Sequence, residues 1–271
     1  MRVVSLTCSN TEIVCALGCA EMLVGVDSHS NRPQEVIARL PKLGPDLQID
    51  IAAVAALKPD LVLASLTVPG HEEVIAGLEK AGLPYLAPEP VSLEDVYGDV
   101  RLVARHLDVP DKGERLVEEM RSKLVESSSP PTPAPKLLIE WWPKPVIAPG
   151  RLSWVNDLIH AAGGHNPLGN EAVKSRPLTD EEVAAINPDA IILSWCGVAP
   201  NKVRPDVIYK NSTWQEVSAI TYGRVYCVPE ADLGRPGPGL VQGFKSLKQI
   251  VEEVRGDKTP KERHENRQFT A

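Results

Sequence analysis

Val54-Ala55-Ala56-Leu57-Lys58-Pro59-Asp60-Leu61-Val62-Leu63-Ala64-Ser65 superposes without gaps on Val183-Ala184-Ala185-Ile186-Asn187-Pro188-Asp189-Ala190-Ile191-Ile192-Leu193-Ser194. Each copy reads as a short helix, a Pro-Asp break and a buried strand. Proline stops the helix and biases its predecessor toward extended backbone, and the apolar run after it has the length of an interior strand. A second echo follows, because Gly82-Leu83-Pro84-Tyr85-Leu86-Ala87-Pro88-Glu89 matches Gly223-Arg224-Val225-Tyr226-Cys227-Val228-Pro229-Glu230. Two copies this far apart are not a solenoid, which stacks shorter units and needs at least three of them. They predict two related α/β lobes.

Working outward, Ser92 to Leu107 carries apolar residues at Leu93, Val96, Val100, Val103 and Leu107, with Ser92 and Asp95 in capping-box positions. Asp111 to Glu126 gives a second helix with Leu116, Met120 and Leu124 on one stripe. This long backbone helix is expected to tie one lobe to the next. Ser127 to Pro135 is a stiff Ser/Pro spacer, and Lys136 to Trp141 opens the second lobe as a strand. The organisation expected is a lobe over residues 1–108, a bridging helix and spacer over 109–135, a second lobe over 136–255 and a loose polar tail over 256–271. Alternating strands and helices favour mostly parallel, Rossmann-like sheets covered on both faces. In such sheets ligands sit beyond the carboxyl ends of the strands, and two lobes would enclose a cleft.

Composition narrows the function. The chain has 271 residues, 43% apolar and 24% charged, with 29 Lys and Arg against 36 Asp and Glu. A net charge of −7 argues against a nucleic-acid groove, which needs a basic stripe. No apolar run has the length of a membrane-spanning helix, so no membrane insertion is expected. Met1 is followed at once by the strand-like Arg2-Val3-Val4-Ser5-Leu6, without a signal-type leader. Cys8, Cys15, Cys19, Cys196 and Cys227 are odd in number and form no CxxC pair, so they read as free thiols rather than a disulfide framework or a zinc site. Cys15 and Cys19 share one helix face, and small buried thiols are the plainer reading of that spacing.

Catalytic signatures are missing. The sequence has no GxGxxG or GxxxxGK[ST] loop, no GxSxG elbow and no HExxH, and its six His are scattered. The junction after the first strand is a better candidate. Ser9 and Glu12 fit a capping box, and a helix starting at a strand's carboxyl end would aim N–H groups and Ser9, Asn10 and Thr11 at a ligand. Ser65 and Leu66 hold the matching place after the repeated strand. All five Trp lie in the second half. Trp141, Trp142 and Trp195 sit at strand carboxyl ends, where an indole offers a wide apolar face to a large planar ligand.

Arg2-Val3-Val4-Ser5-Leu6-Thr7-Cys8-Ser9-Asn10-Thr11-Glu12-Ile13-Val14, the stretch Leu23 to Pro33, Leu57-Lys58-Pro59-Asp60-Leu61, Glu140-Trp141, Ala162-Gly163-Gly164 and Arg235-Pro236-Gly237-Pro238 together resemble the Fe/cobalamin periplasmic-binding family, closest to its cobalamin-binding members. The resemblance runs in order to about residue 255. It implies two lobes on a helical backbone, a corrinoid such as cobalamin or cobinamide held in the cleft, delivery to an ABC-type permease, and no catalysis. The alternatives are a ferric siderophore or haem binding protein and, from another class, an α/β enzyme or metal-handling factor using the same cleft. A siderophore would call for basic side chains such as Arg32, Arg176 and Arg204.

The resemblance also implies residue roles. It puts Ser9, Asn10 and Thr11 on the first-lobe side of the ligand, and His29 where an imidazole would contact it or ligate its metal. It puts Trp141 on the second-lobe side, and Asp232 and Arg235 in a loop that meets the ligand's amide side chains. Glu181 takes the place of a permease-docking carboxylate, whereas its counterpart in the first repeat is Ala52. A monomer is expected. The missing leader, the thiols and Ala52 together favour a cytoplasmic carrier or sensor, with a periplasmic or cell-surface receptor trimmed of its signal as the other reading.

Overall fold

The computed structural model describes residues 1–125 and 132–256 and the backbone of 267–268. It divides into two compact units, Met1–Pro90 with Glu94–Met120, and Val91–Leu93 with Arg121–Ala271. Residues 127–131 of the Ser/Pro spacer fall outside the described residues.

In chain order the first unit contains β1 (Val3–Ser5), α1 (Cys8–Ala16), β2 (Leu23–Val26), α2 (Gln34–Ile37), α3 (Ile51–Ala56), β3 (Leu61–Leu63), α4 (His71–Lys80) and β4 (Tyr85–Leu86), followed by α5 (Leu93–His106) and α6 (Pro110–Lys123). Its sheet has the order β2-β1-β3-β4 and every pairing in it is parallel. Three-residue strands made wholly of buried side chains, such as Leu61–Leu63, need cover on both faces. Val4, Leu6, Val54, Val62, Val74 and Leu78 provide one such layer. The two long helices pack closely on each other, since a Cβ on Gly113 would stand 2.5 Å from that of Ala104. The second of them spans 14 residues, about 21 Å at 1.5 Å per residue, and ends earlier than the periodicity suggests.

The second unit continues with β5 (Leu137–Glu140), β6 (Trp142–Pro143), β7 (Val146–Pro149), α7 (Trp154–Ala161), β8 (Ser175–Leu178), α8 (Asp180–Ile186), β9 (Ala190–Leu193), α9 (Pro205–Tyr209), α10 (Ser218–Thr221), β10 (Val225–Cys227), α11 (Glu230–Leu233), α12 (Leu240–Gly256) and β11 (Arg267–Gln268). Its main sheet, β11-β10-β9-β5, is again parallel. The backbone at 267–268 pairs with Tyr226 and Cys227, and the rest of the expected tail beyond residue 256 lies outside the described residues. A separate antiparallel sheet, β6-β7-β8, has no counterpart in the first unit. Periodicity misses it because its strands are short and carry Pro143, Pro149 and Pro177, which suit edges and strand ends rather than central runs.

The repeat is geometric as well as textual. Lys58 and Asn187, at matching places after α3 and α8, both have left-handed backbone, with φ of 47° and 48°. Asp60 then accepts the Arg2 N–H at 2.6 Å, and Asp189 accepts the Lys136 N–H at 2.8 Å. The side chains of Arg2 and Lys136 donate to the carbonyls of Leu57 and Ile186. Each Pro-Asp break thus locks the incoming strand to the end of the preceding helix. The expected α/β architecture of two related, mostly parallel lobes with long helices between them in sequence is the one found.

Candidate functional site

At the carboxyl ends of β1, β2 and β3 the first unit builds a polar network. Asp27, fully buried, accepts the N–H groups of His29 and Ser30 at 2.8 and 3.0 Å, and the Ser30 hydroxyl donates to its other oxygen. The Ser30 hydroxyl also meets Thr11 Oγ1 at 2.9 Å, and Thr11 donates to Ser5 Oγ at 2.8 Å. Lys42 Nζ donates to the Ser30 carbonyl at 2.8 Å. Such a network costs little only when its members are satisfied, and here each hydroxyl has a partner.

Three of the sequence candidates are therefore spent inside the protein. Thr11 holds the β2 loop, and Asn10 donates its amide to the Ala64 carbonyl at 2.8 Å. Ser9 is almost buried, its hydroxyl 3.3 Å from that of Thr7. The Ser9–Glu12 capping box is corrected: α1 starts at Cys8 with Thr7 as N-cap, and no side chain caps it. Ser65 is buried and shares a 2.9 Å hydrogen bond with Thr67, while the half-buried Leu66 donates its N–H to the Pro88 carbonyl.

What this network presents to solvent is His29. Its side chain is 49% exposed and its Nε2 lies 3.8 Å from Asp46. The same carboxylate faces the buried His71, whose Nε2 is 3.6 Å away. His71 Nδ1 accepts the Val68 N–H, so Nε2 carries the proton that points at Asp46. The facing His71 imidazole at that distance, followed by the charge of His29, holds the Asp46 carboxyl below its ordinary value against the opposing effect of burial, while His71 Nε2 itself has no hydrogen-bond partner among the described residues. Leu47 and Val68 on the same loops are exposed apolar side chains. Sequence reading misses Asp27, Asp46 and His71. Asp27 lies inside the Leu23–Pro33 stretch, but nothing marks Asp46 and His71 as neighbours until the chain folds.

The second unit treats its carboxyl-end face differently. Glu140 closes β5 with no exposed surface; its Oε1 accepts the Trp195 indole N–H at 2.9 Å, and its Oε2 has no partner. Burial, with the charge of Asp180 adding to it and the indole opposing, pushes the carboxyl up to about 8. Trp195 is only 7% exposed and packs with Leu138, Leu193 and Trp214. Trp142 on β6 is 44% exposed and Trp141 beside it is half-buried, its carbonyl taking the Cys196 N–H at 3.1 Å. Of the three indoles expected to face a ligand, Trp142 is exposed, Trp141 is half-buried and Trp195 is buried in the core.

The expected Asp232–Arg235 loop is instead the short helix α11, capped at Gly234. Asp232 is buried, and Arg235, nearly so, donates to Glu230 at 3.1 Å. Two of the basic residues suited to a siderophore are also engaged: Arg176 pairs with Glu171 and Glu182, and Arg204 with Asp206. Glu181 stands exposed in the first turn of α8, where Thr179 and Glu182 form the capping box; Ala52 is exposed in the first turn of α3. Cys15 and Cys227 are free thiols pushed up to about 11 by burial. Among the described residues, no group of three or more His, Cys, Asp or Glu is placed to hold a metal ion by itself, and no helix is long and apolar enough to cross a membrane.

An ABC transporter substrate-binding lipoprotein of Bacillus subtilis, YvrC, is 29% identical over 258 residues, covering 92% of this chain and 79% of that protein. A vitamin B12-binding protein of Vibrio parahaemolyticus is 24% identical, covering 94% and 90%. The solved periplasmic haem-binding protein RhuT of Roseiflexus sp. RS-1 superposes with a TM-score of 0.77 at 27% identity, covering 93% and 98%. Cobalamin-binding and haem-binding proteins stand side by side among the matches, so the narrower resemblance to cobalamin binders is not singled out. The relatives are periplasmic or lipoprotein receptors, which overturns the cytoplasmic expectation drawn from the first residues and the thiols. Residues 3–231 match the periplasmic binding protein family, and the chain belongs to that family of solute-binding, non-enzymatic proteins.

Proposed function

We propose that this protein is the receptor for a metal tetrapyrrole, with haem ahead of cobalamin or cobinamide, and that it hands its ligand to an ABC-type permease. The observation that carries the ligand class is the occurrence of an exposed Trp142 and half-buried Trp141 on one unit and of an exposed imidazole beside Leu47 and Val68 on the other. Indoles and aliphatic side chains suit the faces of a macrocycle, and an imidazole suits its metal. His29 favours haem: with the ring turned away from Asp46, it supplies an axial nitrogen to iron. A ferric siderophore is less suited, because Arg176 and Arg204 already have carboxylate partners. Ser9, Asn10, Thr11, Asp232 and Arg235 then act by shaping the faces on which the ligand rests.

Glu181 is the proposed docking carboxylate toward the permease, and Ala52 leaves the first repeat without its equivalent. Adding haemin to the wild type and to His29→Ala tests the ligand assignment. The wild type is expected to shift the visible bands of haemin, and the variant to bind more weakly with an altered spectrum. Identical spectra for the two proteins would remove His29 as the iron ligand.

A further inference from the structure

Glu140 is out of place by ordinary rules of burial. Its carboxyl is sealed at the end of an interior strand with one neutral partner, the Trp195 indole, and one oxygen left without any. No basic side chain acts on it; the charge it feels is that of Asp180 at the start of α8. An ionised carboxylate in such a place is strongly disfavoured unless it is neutralised or wetted, so the group keeps its proton while the surroundings stay dry.

The segment it holds is the one after β9. Trp195 is tied to Glu140 by its side chain, its carbonyl accepts the Val198 N–H at 3.2 Å, and the next residue, Cys196, donates to the Trp141 carbonyl at 3.1 Å. Ser194, at the head of the same segment, also has a buried hydroxyl without a partner. Glu140, Trp195, Cys196 and Trp141 therefore form one chain of contacts from the strand end to the Trp141 backbone.

We propose that Glu140 is a proton-operated latch: with its proton on, the site stays dry and the 194–198 segment stays packed against Trp141, and loss of that proton draws water to Oε2, which outweighs the stronger indole bond to the carboxylate and loosens the segment. The two orphan polar atoms are then the points at which water enters. The direction follows from linkage. The folded-state carboxyl titrates near 8 instead of 4.5, so the stability it allows is complete below the unfolded value and is lost as pH rises through the folded one. The latch opens on the alkaline side.

Hydrogen exchange at the Cys196 and Val198 amides, with tryptophan emission alongside, tests this on the whole chain between about pH 6 and about pH 10. After correction for the intrinsic base dependence of exchange, protection at both amides should fall as pH rises to about 8 and level off above it, tryptophan emission should change with a midpoint of about 8, and Glu140→Gln should abolish both. Because that variant puts an amide in the core, two others carry the test independently. Asp180→Asn lies on the surface and should lower the midpoint by removing a like charge. Trp195→Phe should raise it by removing the donor that favours the ionised form. A flat wild-type profile, a transition that survives Glu140→Gln, or midpoints that ignore both Asp180→Asn and Trp195→Phe would overturn the latch.

Discussion

At Leu57-Lys58-Pro59-Asp60 and again at Ile186-Asn187-Pro188-Asp189 the chain makes one joint twice, with the same left-handed residue, the same carboxylate and the same basic side chain returning to a helix carbonyl. Four residues beyond each basic residue the copies diverge. The first unit has Leu6, packed with Val4 and Val62, where the second has Glu140. After the repeated strand, Leu66 stands in the first copy and Trp195 in the second. Glu140 and Trp195 are thus an exchanged pair: one side chain brings a buried acid, the other the N–H that satisfies half of it. The duplicated joint supplies architecture, and what distinguishes the units chemically is set on top of it.

Placing the second unit's acid in the first unit breaks that comparison most severely. Leu6→Glu alone buries a carboxyl with no donor and should cost at least about 3 kcal/mol in urea unfolding. Leu6→Glu with Leu66→Trp should recover part of the loss. Equal stability of the single and double variants would show that Trp195 is not what makes Glu140 tolerable.

The next effect concerns pH, where the units should fail in opposite directions. Asp46 is held below its ordinary value chiefly by the His71 imidazole facing it, so its contribution is present above the unfolded carboxylate range and lost as pH falls through the lowered value. Acid should therefore loosen the loops around Asp46, and His71→Gln should blunt that response, whereas the Glu140 response lies on the alkaline side. Residue-resolved hydrogen exchange separates the two. A single global transition at either extreme would contradict the assignment of one acid to each unit.

Smaller effects belong to the joint itself. Asp60→Ala and Asp189→Ala each remove an acceptor for a strand N–H and should cost about 1 kcal/mol apiece, similar in both units. Lys58→Gly should stabilise by up to about 1 kcal/mol because a lysine bears the left-handed backbone poorly. Asn187→Gly should change little, since asparagine already tolerates that geometry. Equal gains at both sites would mean that the strain is carried elsewhere. At the proposed docking face, Ala52→Glu should strengthen association with a homologous permease and Glu181→Ala should weaken it, mainly through the on-rate and its salt dependence.

Much of the fold is legible in the order of the residues. The repeat locates β3 and β9, the Pro-Asp breaks locate the ends of α3 and α8, and the apolar stripes of Ser92–Leu107 and Asp111–Glu126 locate α5 and α6 to within a few residues. The candidate site is less legible because direction is not written in order. A Trp after a strand can turn outward, as Trp142 does, or inward, as Trp195 does, and both follow apolar runs. Ser9, Asn10 and Thr11 have the composition of a ligand-binding turn, but the buried Asp27, 16 residues beyond Thr11, draws the network inward. Asp46 and His71 meet only through folding, and β6 and β7 are hidden by their prolines.

The receptor assignment stands or falls on direct titration of the purified protein with haemin and, separately, with cyanocobalamin, following tryptophan emission and the ligand's visible bands. Saturable quenching by haemin with a stoichiometry of one per chain, and weaker or no response to cyanocobalamin, is the predicted result. Absence of a response to both ligands, with the protein folded, would contradict it.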